Sequence, residues 1–268
     1  MSTTPTAVIS GAAQGIGAAT AGHLAGQGWR VVVLDLNGPG AEAVAAALDA
    51  AHPVAGGHLG LGCDVSDESA VGAAVAGAAD VSGRIDAVVA GAGNLVRGPA
   101  AELDLGSWQR HLDIHLTGSF LLARAAFPRL SAARGSVVTI ASVGSTFGLP
   151  RRVAYSAAKS GIVGMTRTLA AEWGPHGVRV NAVAPGYVNT EMVRSGLDAG
   201  TLDRDALLAR TPLRRLAEPE DIAAAIGFLV SPGAGFVNGA VLPVDGGLTI
   251  DGTFDHIVDH TADHITAR

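Results

Sequence analysis

The sequence predicts an α/β protein in one domain: a doubly wound, seven-stranded parallel sheet flanked by helices. Three observations carry that expectation. Short runs rich in Val, Ile and Leu alternate with longer Ala-rich stretches. The short runs are apolar throughout rather than at every second residue, as strands buried on both faces require. A Gly-rich loop joins the first strand to the first helix.

The strands are expected at 6–10, 30–35, 58–64, 85–90, 135–142, 178–183 and 239–244, and the helices at 15–28, 39–51, 67–82, 107–130, 152–173 and 219–230. At the last helix, Glu218-Pro219-Glu220-Asp221 puts a proline in the first turn and acids beside it. The macrodipole favours both there, so these carboxylates are structural rather than a general acid/base pair. The stretch 186–215 offers no regular element. It follows the carboxyl end of the sixth strand, where open α/β sheets place their ligands, and is expected to be a substrate lid.

Of 268 residues, 48% are hydrophobic and 16% charged, a composition that excludes disorder and supplies one sizeable core. That core is assigned to residues 1–250, with 251–268 as a C-terminal tail. The net charge of −6, with basic doublets such as Arg151-Arg152 and Arg214-Arg215 but no cluster, excludes a nucleic-acid surface and leaves a small molecule as partner. No apolar run is long enough to cross a bilayer, and Met1 to Ile9 is not a leader. The lone Cys63, set in an apolar stretch, can form no internal disulfide. A cytoplasmic protein with no membrane partner is expected.

Ser10-Gly11-Ala12-Ala13-Gln14-Gly15-Ile16-Gly17 lets the backbone approach a pyrophosphate at a helix N-terminus. Asp35 closes the second strand near the ~20-residue offset at which an acid accepts the adenosine ribose hydroxyls. That acid would repel a 2′-phosphate, and Gln14, Leu36 and Asn37 bring no cation, so NAD (NADH) is expected rather than NADP. Otherwise Asp35 is only a polar strand end.

Tyr155-Ser156-Ala157-Ala158-Lys159 places a phenol and an ammonium on one helix face. A neighbouring cation would lower the phenol from its usual ~10 toward the range of proton transfer. Ser142, at the end of the fifth strand, could hydrogen-bond the reacting oxygen.

Over roughly residues 6–248 the sequence resembles the short-chain dehydrogenase/reductase family, whose fold is of the Rossmann type. The resemblance lies in Gly11-x-x-x-Gly15-Ile16-Gly17, Asp64-Val65, Ser142, Tyr155-x-x-x-Lys159, Asn181, Pro185-Gly186-x-Val188-x-Thr190 and Val244-Asp245-Gly246-Gly247. It implies that Tyr155 is the acid in carbonyl reduction and the base in alcohol oxidation. Ser142 would position the substrate oxygen, and Lys159 would bind the nicotinamide ribose. Asp64 and Val65 would meet the adenine, while Pro185, Gly186, Val188 and Thr190 would surround the nicotinamide. It also implies a homotetramer (or homodimer), built through the helices that start near 107 and 152.

The sequence departs from the family pattern twice. Ala90-Gly91-Ala92-Gly93 replaces Asn-Asn-Ala-Gly, which keeps the small cofactor-side residues Ala90, Gly91 and Ala92 but loses two amides that brace the sheet. His115 stands where the family has an Asn of the proton relay. It either supports the relay, with a titration of its own near neutral pH, or is a packing substitution.

Asn94, Gly144, Leu149, Tyr187 and Met192 are the candidate substrate residues, mainly apolar and suited to a secondary alcohol or ketone. Arg97, Arg151, Arg152 and Arg194 either meet an anionic substrate at the rim or, as the favoured reading, are solvated side chains whose stems cover apolar surface. The Asp-His repeat from Asp255 to His264 is read as a structural tail, with no metal assigned. The expected function is NAD-dependent interconversion of a secondary alcohol and a ketone. The alternatives are a 3-oxoacyl-thioester reductase and a non-catalytic, NAD-sensing regulatory protein.

Overall fold

Strands β1 Thr6–Ser10, β2 Arg30–Asp35, β3 Leu59–Gly62, β4 Ala87–Ala90, β5 Ser136–Ile140, β6 Arg179–Pro185 and β7 Val241–Val244 form one seven-stranded parallel sheet. Its order is β3-β2-β1-β4-β5-β6-β7 in the computed structural model, which describes residues 4–252. Ser10 lies beside Leu34 of β2 on one side and Ala90 of β4 on the other. The order therefore reverses at β1, and a crevice opens beyond the strands' carboxyl ends between β1 and β4.

Successive strand residues feed opposite faces. Val8, Val32, Val88, Val137 and Val180 pack beneath α3 Glu68–Ser82, α5 Gly118–Ala133 and α6 Val153–Trp173. Ile9, Val31, Val33, Val89 and Val138 pack beneath α1 Gly15–Gly26, α2 Gly38–Ala51 and α9 Pro219–Val230. Each such side chain contributes about 1.5–3 kcal/mol when fully buried. A sheet covered on both faces has no place for alternating polar residues, which is why the strands read as unbroken apolar runs.

Several boundaries differ from expectation for identifiable reasons. The third strand is shorter than 58–64, because the His58 ring rather than a ladder carbonyl accepts the Val31 N–H (3.0 Å), and Asp64 folds back to accept from Ser66 N (2.9 Å). The fourth starts at Ala87, because Asp86 turns its carboxylate to the Thr6 N–H (2.8 Å). The stretch 107–130 is not one regular helix. α4 Leu105–Leu112, capped by Asp104, runs into a π-helical turn over Asp113–Thr117 and only then into α5.

The segment 186–215 is not irregular throughout, since it holds α7 Glu191–Asp198 and α8 Arg204–Arg210, the latter capped by Asp203. At α9, Asp221 accepts the Glu218 N–H (2.8 Å) and pairs with Arg215, a capping role. The Asp-His repeat lies outside the described residues.

Ser10 braces the sheet at the switch point. Its buried hydroxyl accepts from Gly91 N (3.2 Å) and Ala92 N (3.4 Å), joining β1 to the loop after β4. Ser10→Ala leaves both amides without that acceptor and is expected to lower the unfolding free energy by about 1–3 kcal/mol. Urea denaturation checks this, and a loss below about 0.5 kcal/mol would mean the brace lies elsewhere.

Candidate active site

A cavity of about 480 Å³ occupies the crevice. At one end, Gly11 (φ +67°) and Gly15 (φ +56°) take left-handed backbone that other residues rarely adopt. A Cβ on Gly11 would stand 2.7 Å from the Ala92 Cα, so the loop and the β4 end close on each other only with glycine there. Gln14 begins α1 without a side-chain cap, and the first turn holds no acid. The N-terminal dipole and amides of a 12-residue helix thus meet the cavity with no anion of the protein's own.

Asp35 is fixed at the cavity wall by two amides: Ala13 N–H donates to Oδ2 and Asn37 N–H to Oδ1, both at 3.0 Å. Among the described residues it has no ion pair. Asp64 accepts from the Ser66 hydroxyl (2.6 Å) and amide (2.9 Å) and lies 3.5 Å from Arg110. These partners hold its carboxyl below the usual carboxylate range. An unneutralised helix end together with a fixed acid fits the pyrophosphate and ribose hydroxyls of a dinucleotide.

At the other end, Ser142 follows β5 and its Oγ accepts from Gly144 N (3.0 Å). Tyr155 sits in the first turn of α6 and, with Ser142, lines the cavity. One turn on, Lys159 Nζ donates to the Ile140 carbonyl (2.6 Å) and lies 5.7 Å from the Tyr155 ring centroid.

Burial pushes the Tyr155 phenol up, and the groups acting against it are the Ser142 hydroxyl and then the Arg152 guanidinium. Burial pulls Lys159 down to about 7, so this ammonium carries its full charge only below neutrality. The net lowering of Tyr155 expected from Lys159 is therefore not found in the cofactor-free protein.

His115 stands in the π-helical turn, buried, with its ring edge-on to Tyr155 at 5.4 Å between centroids. Its Nε2 lies 3.1 Å from Asn94 N and 2.8 Å from Asn94 O, and the tautomer decides which of the two it bonds. His111, one turn earlier and stacked at 6.0 Å, accepts the Val96 N–H on Nε2 (3.1 Å), which leaves Nδ1–H to donate to Ser107 O (2.8 Å). Two imidazoles thus hold the backbone of the loop after β4.

Burial first, then the charges of Lys159 and His111, pull His115 to about 3, well below the neutral range. A Cβ on Gly93 would stand 2.5 Å from His115 Cε1, so the imidazole fits only against glycine. The sequence reading missed His111. The available signal was a second histidine four residues before the first on the same predicted helix.

The expected site residues converge on this one cavity, with two exceptions. Ala90 is buried within β4 and lines nothing. Gly144 lies behind Ser142, where a Cβ would meet Leu149 Cδ1 at 3.0 Å and Tyr155 Cε1 at 3.4 Å. Pro185, Gly186, Tyr187, Val188 and Thr190 form the wall after β6, and Met192 reaches it from α7.

Comparison with known proteins agrees with this architecture. A short-chain dehydrogenase family model described as enoyl-(acyl carrier protein) reductase matches residues 11–249. D-threitol dehydrogenase of Mycolicibacterium smegmatis is 45% identical over 245 residues, covering 91% of this chain and 92% of that protein. Cis-4-hydroxycyclohexanecarboxylate dehydrogenase of Sinomonas cyclohexanicum is 45% identical over 246 residues, covering 91% and 96%.

A Beutenbergia cavernae crystal structure, described as a candidate NAD(P)-dependent gluconate 5-dehydrogenase with NADP at low occupancy, superposes with a TM-score of 0.85. It shares 36% identity and covers 92% of this chain and 97% of its own. The chain belongs to the short-chain dehydrogenase/reductase family, whose members are oxidoreductases that use a nicotinamide cofactor.

The buried lysine has a stability consequence whose sign follows from proton linkage. Unfolded, Lys159 titrates near its ordinary 10.5; folded, it titrates at about 7. Between those values the unfolded chain binds the extra proton, so stability rises with pH across the window, by up to about 1.4 kcal/mol per unit. Urea denaturation of the cofactor-free protein at pH 7 and 9 should show this rise and show it reduced in Lys159→Met. Equal slopes in the two proteins would sink the assignment.

Proposed function

We propose that this chain is an NAD(H)-dependent dehydrogenase/reductase that interconverts a secondary alcohol and a ketone. The observation that carries the reading is that Ser142, Tyr155 and, one turn on, Lys159 line the same cavity as the uncapped start of α1 and the fixed Asp35. A nicotinamide, when bound, supplies the hydride donor or acceptor. The relatives named above, which act on a polyol and on a cyclic hydroxy acid, favour alcohol chemistry over acyl-thioester reduction.

The residues divide the work by their chemistry. Ser142 donates its hydroxyl to the substrate oxygen and holds it beside Tyr155. Tyr155 gives its phenolic proton to the carbonyl oxygen in reduction and takes the alcohol proton in oxidation. Lys159 holds the nicotinamide ribose and, when charged, favours the phenolate.

A phenol kept protonated by burial is an acid ready for ketone reduction at neutral pH, and oxidation gains as pH rises. His115, neutral at every working pH, is a positioning residue: it holds Asn94 and packs against the Tyr155 ring.

Asp35 supports NAD, because its carboxylate would repel a 2′-phosphate and, among the described residues, no cation pairs with it. The segment 186–215 serves as the lid. A homotetramer or homodimer is proposed, with the apolar Phe120 of α5 and Val153 of α6 left exposed for subunit contact. A single free, buried Cys63 needs no oxidising compartment and supports a cytoplasmic enzyme.

Absorbance of NADH and NADPH with a panel of secondary alcohols and ketones tests the reading. Turnover with NADH at least about tenfold above NADPH is expected, together with a loss of at least ~100-fold in Tyr155→Phe. NADH binding without turnover of any panel member would instead indicate a cofactor sensor. His115→Asn is expected to lower kcat while leaving the shape of the pH–rate profile between about pH 5 and 9 intact. Loss of an inflection near neutrality would show that the imidazole carries the proton after all.

A further inference from the structure

We propose that the substrate end of the cavity is an anion site, in which Arg97, assisted by Arg152, takes a carboxylate carried by the alcohol or ketone. This rests on the alcohol–ketone reading of the same cavity and narrows its substrate class to hydroxy and oxo acids.

Arg97 is half-buried rather than fully solvated. Its Nε is buried without a hydrogen-bond partner, and among the described residues no carboxylate pairs with its guanidinium. Nη2 lies under the segment after β6: a Cβ on Gly196 of α7 would stand 3.3 Å from it. Arg152 lines the same cavity, and burial, then repulsion from Arg152, lowers the guanidinium of Arg97.

The acids lining the cavity are already committed elsewhere. Asp35 and Asp64 belong to the adenosine end, and Glu191 is paired with Arg194 (3.4 Å). A guanidinium whose Nε is withdrawn from water without a partner is costly, so two half-buried arginines lining one cavity with no protein acid between them suit an anion from outside. Of the available anions, a carboxylate matches the planar fork of arginine, whose parallel N–H groups reach both oxygens. Tyr187 lines the same cavity as Arg97, Arg152 and Tyr155.

The test compares a hydroxycycloalkanecarboxylate with its carboxamide, which has the same size without the charge, as substrates of the NAD-supplied enzyme. The expected result is a kcat/KM ratio of about tenfold or more in favour of the acid, carried mainly by KM. Arg97→Gln should bring that ratio near one, and Arg97→Lys should keep part of it. Equal use of acid and amide by the wild type, or a ratio that Arg97→Gln does not move, overturns the site while leaving the alcohol–ketone reading intact.

Calorimetric titration of cyclohexanecarboxylate needs no turnover. Saturable binding weakened about tenfold or more by Arg97→Gln would sustain the anion site even if no alcohol or ketone were consumed. Absence of saturable binding would overturn it.

Discussion

The reversal of strand order at β1 is the constraint on which the rest depends. Because β2 leaves on one side and β4 joins on the other, no helix crosses the gap above their carboxyl ends, and the cavity forms there by topology. What the residues add is closeness. Gly11 lets the first loop meet Ala92, and the Ser10 hydroxyl holds the amides of Gly91 and Ala92, so the two strands bordering the gap end in one rigid floor. The glycine loop, the acid after β2 and the polar group after β5 then face one another from separate elements.

Much of this was legible in the sequence because it follows from short-range rules. Continuous apolar runs announced a parallel sheet, since only strands buried on both faces can dispense with alternation. The Gly11–Gly17 loop, Asp35 and the Tyr155–Lys159 spacing are local patterns with local causes. Features set by tertiary contacts were not legible. No spacing rule reveals that the His58 ring takes the Val31 amide and shortens β3, or that the helix through His115 passes through a π-helical turn. The two helices within 186–215 are seven and eight residues long, too short to display a period. Arg97 looked like any rim arginine, because burial of one side-chain nitrogen is a property of the packed chain.

Electrostatics at the catalytic end follow from dryness more than from pairing. Burial acts on Tyr155 and Lys159 in opposite senses on the pKa scale but with one effect, favouring the uncharged form of each. Without cofactor the phenol is held protonated and the ammonium is partly discharged near neutrality. Arg152 is the standing cation of the region: it opposes the rise of Tyr155 and repels Arg97, which ties the proton-transfer group to the part of the cavity that meets the far end of the substrate.

The loop after β4 hangs from two imidazoles that bond only main-chain atoms, those of Asn94 and Val96. An anchor that ignores side chains leaves side chains free to vary. Residues 94–96 can change identity from one descendant to the next while the cavity wall keeps its place, provided that His111, His115 and the glycine at 93 persist. Substrate preference in this lineage can thus drift by single substitutions on a fixed support, without a passage through unfolded or misaligned intermediates.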